Sequence, residues 1–438
     1  MKSFHVTTLG CPKNIADSDL LSGLLTHSSL CPSDEPENAD ILFINTCGFI
    51  EPAKAESLQA IFEAVALKKR NPAKKVYAIG CLSERYRETL IKEIPELDGV
   101  FGTEAYVSIF SDFNKTIPPP DLQFILRTVS KPSHYAYLKI SEGCDRPCAF
   151  CAIPVIRGKH RSRPMASVLA EARTLADKGV RELIIVSQDT SSYGIDLNGQ
   201  QQIIPLLEAL ARLDCFHWIR VLYWYPGNFP MKFIELIERF SSIIPYMDIP
   251  LQHASKHVLR RMRRAGNIER AGDLIETIRE TVPESVFRTA FISGFPGETQ
   301  DDFKILNAFL EKMRFDRVGV FIYSDEENTP AYGYRGKVSK VTAEKRKAVL
   351  METQRRISEE KNQNLIGTIQ EVLIDRYDEA VRYYIGRTFR DAPEIDNEVL
   401  IAAEENDVTM LGTFQKVKIS GCTEYDLYGT LYKKQDTL

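Results

Sequence analysis

The chain of 438 residues predicts an α/β protein in three parts. These are an amino-terminal three-layer α/β domain with a parallel sheet over residues 1–115, a central partial (β/α)6 barrel over 130–360, and a small OB-like β-barrel over 363–432. Three observations predict this. Short strand-like runs alternate with helical patterns as far as residue 323, a Pro-rich break near residue 118 divides them into two series, and five strand-like runs without helices follow residue 363. Strands alternating with helices pair in parallel, whereas strands without helices close on themselves.

In the first series, Phe4 to Gly10, Ile41 to Thr46 and Val76 to Gly80 read as strands, and each runs into a cysteine: Cys11, Cys47 and Cys81. Helical patterns over Asp17 to Leu25 and Pro52 to Lys69 separate them, the second with Pro52 near the favoured first-turn position. Ligands gather at the carboxyl ends of parallel strands, so three cysteines about 35 residues apart in sequence converge on one place. That suits a second metal cluster. Burial of free cysteines as small apolar residues is the alternative.

The stretch Asn114 to His134, with Pro118-Pro119-Pro120, reads as a linker. Beyond it, strand-like runs at Ala136 to Ser141, Glu182 to Ser187, Ile219 to Tyr223, Met247 to Leu251, Val286 to Ile292 and Val318 to Tyr323 alternate with helical patterns. Those helices run over Ser167 to Lys178, Ile203 to Leu213, Met231 to Ser241, Ile268 to Thr281 and Asp301 to Met313, with apolar residues at three- and four-residue steps. Chemistry in such a barrel sits at the carboxyl ends of its strands.

Directly after the first of these strands stand Cys144, Cys148 and Cys151, in the spacing CxxxCxxC. Three thiolates on one loop suit a 4Fe–4S cubane and leave one iron without a protein ligand, open to a substrate or cofactor. A zinc site would need a fourth ligand, and the nearest candidate is His160, nine residues past Cys151. Gln188 and Asp189 follow the second strand and are candidates for cofactor contact, as are Gly294, Gly297 and Glu298 after the fifth, where an ordinary Gly-Pro turn is the alternative. His253 follows the fourth strand, as a substrate contact or a structural histidine. Arg157, Lys159, Arg161 and Arg163 follow the cysteine loop, where they bind carboxylates or form a solvated basic loop. Arg260, Arg261, Arg263 and Arg264 read as a charged helix face.

Composition bounds the rest. With 44% hydrophobic and 26% charged residues the chain can bury several ordinary cores, and a net charge of −4 gives it no overall basic character for nucleic acid. Residues Met1 to His5 lead straight into a strand, and no apolar stretch is long enough to span a bilayer. The expectation is a cytoplasmic protein with no membrane partner, whose nine cysteines read as metal ligands rather than a disulfide framework, with Cys31, Cys215 and Cys422 set aside as packing or surface residues.

The CxxxCxxC loop after a first barrel strand resembles the radical S-adenosylmethionine superfamily. The amino-terminal cysteines, in Leu9-Gly-Cys-Pro-Lys-Asn14, Asn45-Thr-Cys-Gly48 and Gly80-Cys81-Leu82, are similar to those of the methylthiotransferases. Ser187-Gln-Asp-Thr190 with Tyr193-Gly194, Asp248-Ile-Pro-Leu-Gln-His-Ala-Ser255 and Asp391-Ala-Pro-Glu-Ile-Asp396 resemble the branch that modifies a ribosomal protein, rather than the branch that modifies tRNA. The resemblance implies two 4Fe–4S clusters, one on Cys144, Cys148 and Cys151 that splits S-adenosylmethionine into a radical source, and one on Cys11, Cys47 and Cys81 that holds the sulfur to be delivered. It implies two S-adenosylmethionine molecules and an electron donor such as a flavodoxin or ferredoxin. The acceptor it implies is the β-carbon of an aspartate in small-subunit ribosomal protein twelve.

After a charged helical connector from about Thr342 to Gln363, the five final strands are expected at Thr368 to Ile374, Val381 to Ile385, Glu398 to Ala402, Phe414 to Ser420 and Asp426 to Tyr432, and resemble a TRAM domain. Residues 363–438 carry eight Lys/Arg against fourteen Asp/Glu, a balance of −6. An RNA binder gains most of its affinity from neutralised phosphates, so this barrel disfavours tRNA and suits a basic protein. Asp391, Glu394 and Asp396 are the candidates for that substrate-binding surface, with a solvated acidic turn as the alternative. A tRNA-modifying enzyme of the same chemistry and a zinc-holding ribosome assembly factor remain the competing functions.

Overall fold

A computed structural model describes residues 1–113, 118–264, 268–403 and 410–432. Its amino-terminal part is a five-stranded parallel sheet with Ile41–Thr46 at the centre, flanked by Ser3–Thr8 and Lys75–Gly80 and edged by Cys31–Pro32 and Gly99–Val100. All six residues of the central strand are buried, as expected where helices cover both faces of a parallel sheet. Alternation divides them: Leu42 and Ile44 pack with Ile61 and Val65 on one side, Ile41 and Phe43 with Leu21 and Leu25 on the other.

The first helix runs Pro12–His27, five residues longer at its start than the apolar pattern suggests. Its opening turns, Lys13-Asn-Ile-Ala-Asp-Ser-Asp19, have no apolar stripe because Lys13, Asn14, Asp17 and Asp19 are themselves buried against the next domain.

The barrel strands are Tyr135–Lys139, Glu182–Val186, Trp218–Val221, Tyr246–Asp248, Val286–Ser293 and Arg317–Ile322, paired in parallel as two three-stranded sheets. A single parallel bridge between Ile219 and Ile243 links the halves. Leu183 and Ile185 face outward to Val168, Leu175, Leu206 and Leu207, whereas Ile184 and Val186 face inward to Tyr137 and Tyr246. The lumen cluster takes in Ala16 at one end and Leu373 and Ala392 at the other, so each flanking domain closes one end of the barrel.

At the carboxyl ends of the strands that lid is the amino-terminal domain: Lys139, the last residue of its strand, pairs with Asp17. The stretch expected as a linker is part of the same joint. Residues 114–117 lie outside the described residues, but Pro120–Ile125 is helical and Arg127 is 2% exposed, donating to Asp19 at 2.8 Å and Glu171 at 2.7 Å. A single arginine after the apolar run Phe124-Ile-Leu126 has neither acidic partner nearby in sequence to announce such burial.

At the other end sits a closed five-stranded barrel of Ile369–Asp378, Tyr383–Arg387, Val399–Ala402, Phe414–Cys422 and Leu427–Leu431, reached through the helix Lys340–Gln363. It docks on the first residues of the barrel strands: Arg387 binds Glu182 at 2.8 Å, Arg317 Nε donates to Asp391 at 2.8 Å, and the Tyr246 hydroxyl donates to Asp396. This corrects the expected acidic surface. Asp391 is buried and the Asp396 carboxylate is taken by Tyr246 and Arg288; Glu394 stays exposed while accepting from the Tyr135 hydroxyl at 2.9 Å. Arginines at the barrel floor neutralise these acids, and the turn lies opposite the end that carries the cysteines. No helix among the described residues is long and apolar enough to cross a membrane.

Candidate functional site

The barrel cysteines stand on a loop shaped by a short hairpin between Ser141–Glu142 and Arg161–Ser162. Gly143, at φ +73°, permits the tight approach: a Cβ there would stand 2.0 Å from the Lys159 carbonyl oxygen. Cys144 N donates to the Gly158 carbonyl at 3.1 Å, and Ala149 is bonded at 2.8 Å to both Met262 and Ala331, so the backbone between the cysteines is held from two sides. Burial pushes the Cys144 thiol up to about 11 and Cys151 up to about 12. Without metal these thiols stay protonated, and iron binding releases the protons.

Cys11, Cys47 and Cys81 come together at the carboxyl ends of three neighbouring strands of the amino-terminal sheet. The loops touch: a Cβ on Gly10, at φ +92°, would lie 2.6 Å from Cys47 Cβ. Asn14 Nδ2 donates to the Leu9 carbonyl at 2.7 Å and the Thr46 carbonyl at 3.2 Å, stitching two of the cysteine loops together. Burial pushes Cys47 up to about 12, and the nearby Cys81 and Cys11 add to that. All six cysteines are free thiols.

His160, the candidate fourth zinc ligand, instead lies 3.1 Å from Ser162 Oγ. All-thiol triads with two buried members and one half-buried member each fit a polynuclear cluster, whose ligands bind different metal atoms.

Between the two triads runs a buried polar network. Arg157 donates to Glu142 at 2.8 and 2.9 Å, to Asp17 at 3.3 Å, to Asn14 Oδ1 at 2.9 Å and to Cys81 Sγ at 3.3 Å. Lys139 also binds Asp17 and Glu142. Burial alone would raise the Glu142 pKa, but Lys139 and Arg157 outweigh it and hold the carboxylate well below its ordinary range. Glu142 Oε1 in turn accepts from Gln188 Nε2 at 2.8 Å. Arg163 turns inward to Glu171 at 2.5 Å, Arg161 reaches Glu104, and Lys159 is exposed, so the basic loop is half structural and half solvated.

Gln188 and Asp189 stand beside the barrel cysteines with unused capacity. Arg146 Nε and Ser192 Oγ hold Asp189 Oδ2 at 2.6 and 2.7 Å, while Asp189 Oδ1 and Gln188 Oε1 are buried without a partner. Two orphaned acceptors suit a ligand ammonium group. Glu298 behaves otherwise: its oxygens take Gly294 N at 2.7 Å, Phe295 N at 3.2 Å and Arg346 at 2.7 Å, so it ties its own loop, and Gly297 N donates to Gly336. His253 is fully buried, with Nδ1 accepting from Ser255 N at 2.9 Å. Arg264 lies 3.5 Å from Cys148 Sγ, and Arg261 donates to the Pro296 carbonyl at 2.8 Å, so that pair is turned inward rather than to solvent. Lys13, Asp17, Lys139 and Glu142 were not singled out from sequence; a charge at the end of an apolar strand, as at Lys139, was the available signal.

Comparison with known proteins agrees with this arrangement. Residues 3–102 match the family described as uncharacterized protein family UPF0004, residues 138–310 the radical SAM superfamily, and residues 366–431 the TRAM domain. The fold is shared with TsrM of Kitasatospora setae, a radical S-adenosylmethionine methyltransferase, at TM-score 0.54 and 14% identity over 76% of this chain and 75% of that one. The chain is thus a radical SAM protein with an amino-terminal cysteine domain and a TRAM barrel, a class that uses S-adenosylmethionine and a 4Fe–4S cluster. Ribosomal protein uS12 methylthiotransferase RimO of Cytophaga hutchinsonii is 42% identical over 98% of both chains, and that of Aquifex aeolicus 43% identical over 97% of this chain and 96% of its own. The chain belongs to this RimO family.

Proposed function

We propose that the protein adds a methylthio group to the β-carbon of an aspartate in ribosomal protein uS12, using two 4Fe–4S clusters and two molecules of S-adenosylmethionine. The observation that carries this reading is the reach of Arg157 to Cys81 Sγ, which ties the amino-terminal triad to the loop that carries the barrel triad. When bound, a cluster on Cys144, Cys148 and Cys151 supplies the electron that splits S-adenosylmethionine, and one on Cys11, Cys47 and Cys81 supplies sulfur.

The chain's own residues do the positioning. Gln188 Oε1 and Asp189 Oδ1 accept from the cofactor's ammonium group, with Arg146 fixing Asp189. Lys139 and Arg157 keep Glu142 as a carboxylate and both pair with Asp17, so the joint between the triads is a cross-linked buried network, as radical chemistry requires if side reactions are to be excluded. A small flavodoxin or ferredoxin is the electron donor, and the setting is the cytoplasm.

Even with Asp391 and Asp396 paired to the barrel floor, the TRAM segment has no basic surplus with which to neutralise phosphates, which supports a protein substrate over tRNA. The test is to incubate reconstituted protein with purified uS12 and with tRNA separately and to measure the methylthio mass increment. Gain on uS12 is expected; gain on tRNA alone overturns the reading.

A further inference from the structure

Lys13 lies two residues past Cys11, in the first turn of the helix Pro12–His27, and crosses from the amino-terminal domain into the mouth of the barrel. Its Nζ donates to the Ser187 carbonyl at 3.3 Å, just past the second barrel strand, and stands 3.7 Å from the centre of the Tyr223 ring, just past the third. The residue is only 8% exposed. Of the four cations Lys13, Lys139, Arg146 and Arg157, the other three each hold a carboxylate; among the described residues Lys13 has a carbonyl and a ring face.

Among the described residues no carboxylate touches this buried ammonium, Glu142 acting on it only at longer range, and one carbonyl leaves two of its three donors for another group. The surroundings hold it there. Tyr223, whose ring supports it, is fixed at φ +64° by Asp248 Oδ2 on its N–H at 3.0 Å and Thr190 N on its carbonyl at 3.2 Å. A bulky residue adopts that backbone only where neighbours impose it.

We infer that Lys13 binds the side-chain carboxylate of the acceptor aspartate. This rests on the proposed function and deepens it. The anion held by Lys13 would lie between Cys11 on the sulfur side and Ser187-Gln188 on the cofactor side, and gripping the carboxylate aims the adjoining β-carbon at both. An acceptor without the negative charge, such as asparagine, leaves the ammonium unanswered.

The experiment uses the full-length, cluster-loaded protein and two fluorescein-labelled peptides spanning the acceptor position of uS12, one with aspartate and one with asparagine. Fluorescence anisotropy gives Kd for each, and equilibrium dialysis gives Kd for S-adenosylmethionine. In Lys13→Met the Kd of the aspartate peptide rises by at least about 10-fold, while that of the asparagine peptide stays within about 2-fold. Lys13→Arg, which keeps the charge, retains part of the preference. Iron content equal to wild type establishes that each variant is folded and loaded.

Retention of the full aspartate preference by Lys13→Met overturns the inference. So does a loss of S-adenosylmethionine affinity with the peptide preference intact, because the anion is then the cofactor's own carboxylate. The absence of any aspartate preference in wild type also overturns the inference, whereas failure of the proposed function is read separately, as no methylthio increment on uS12.

Discussion

Arg157 Nη2 stands 3.3 Å from Cys81 Sγ while its other donors bind Glu142, so one guanidinium joins a cysteine of the amino-terminal sheet to the loop that carries the barrel cysteines. Arg157 is 3% exposed, and removing it leaves Asp17 and Glu142 to share Lys139. Breaking a buried pair from one side costs about 3–5 kcal/mol. Arg157→Gln should therefore lower the urea midpoint by that equivalent, and Arg157→Lys should recover little, since an ammonium cannot span Glu142 and Cys81 as a planar fork does. Equal midpoints for wild type and Arg157→Gln would refute the bridging role.

The two triads are predicted to separate by mutation. Cys148→Ala should abolish formation of 5'-deoxyadenosine, because the barrel loop loses a ligand. Cys47→Ala should keep that cleavage and lose sulfur transfer, read as the methylthio increment on uS12. Normal sulfur transfer by Cys47→Ala would remove the basis for a second cluster.

His253 predicts an acid limit to stability. Burial lowers its pKa to about 3, with Arg346 and His257 adding to the effect against Asp302. Unfolded, it takes a proton near pH 6.5, so between about pH 6.5 and 3 the unfolded chain binds more protons than the folded one. Stability from this group is complete above that window and is lost as pH falls through it, by about 2 kcal/mol at pH 5. His253→Asn, whose Oδ1 can replace Nδ1 as acceptor for Ser255, should flatten the change in Tm between pH 7 and 5. An unchanged pH slope would show that His253 titrates normally.

Much of this architecture is legible in the chain because burial there is periodic. The short run Ile41-Leu-Phe-Ile-Asn-Thr46, placed between helical patterns, fits a strand covered on both sides, and three strands running into Cys11, Cys47 and Cys81 already imply a shared site. What stays hidden is polar and long-range. Asp17 and Arg157 meet across 140 positions, and Asp19 and Arg127 across 108, so neither partner looks buried by itself. The segment Lys13 to Asp19 has the composition of a solvated turn and becomes the floor of a domain joint.

The acidic turn Asp391 to Asp396 shows the same ambiguity, and two of its carboxylates, Asp391 and Glu394, separate the readings. A steering surface would leave stability nearly unchanged in either variant and alter the salt dependence of substrate binding. The docked arrangement predicts an asymmetry. Asp391→Ala strips Arg317, a buried cation, of its partner and should cost about 3–5 kcal/mol. Glu394→Ala removes an exposed acceptor of one tyrosine hydroxyl and should cost about 1 kcal/mol or less. Arg317→Met combined with Asp391→Ala should restore part of the loss, since the unpaired charge is gone. Urea unfolding of the three variants decides the matter: matching midpoints for Asp391→Ala and Glu394→Ala would mean that the TRAM barrel is not held to the barrel floor through Arg317.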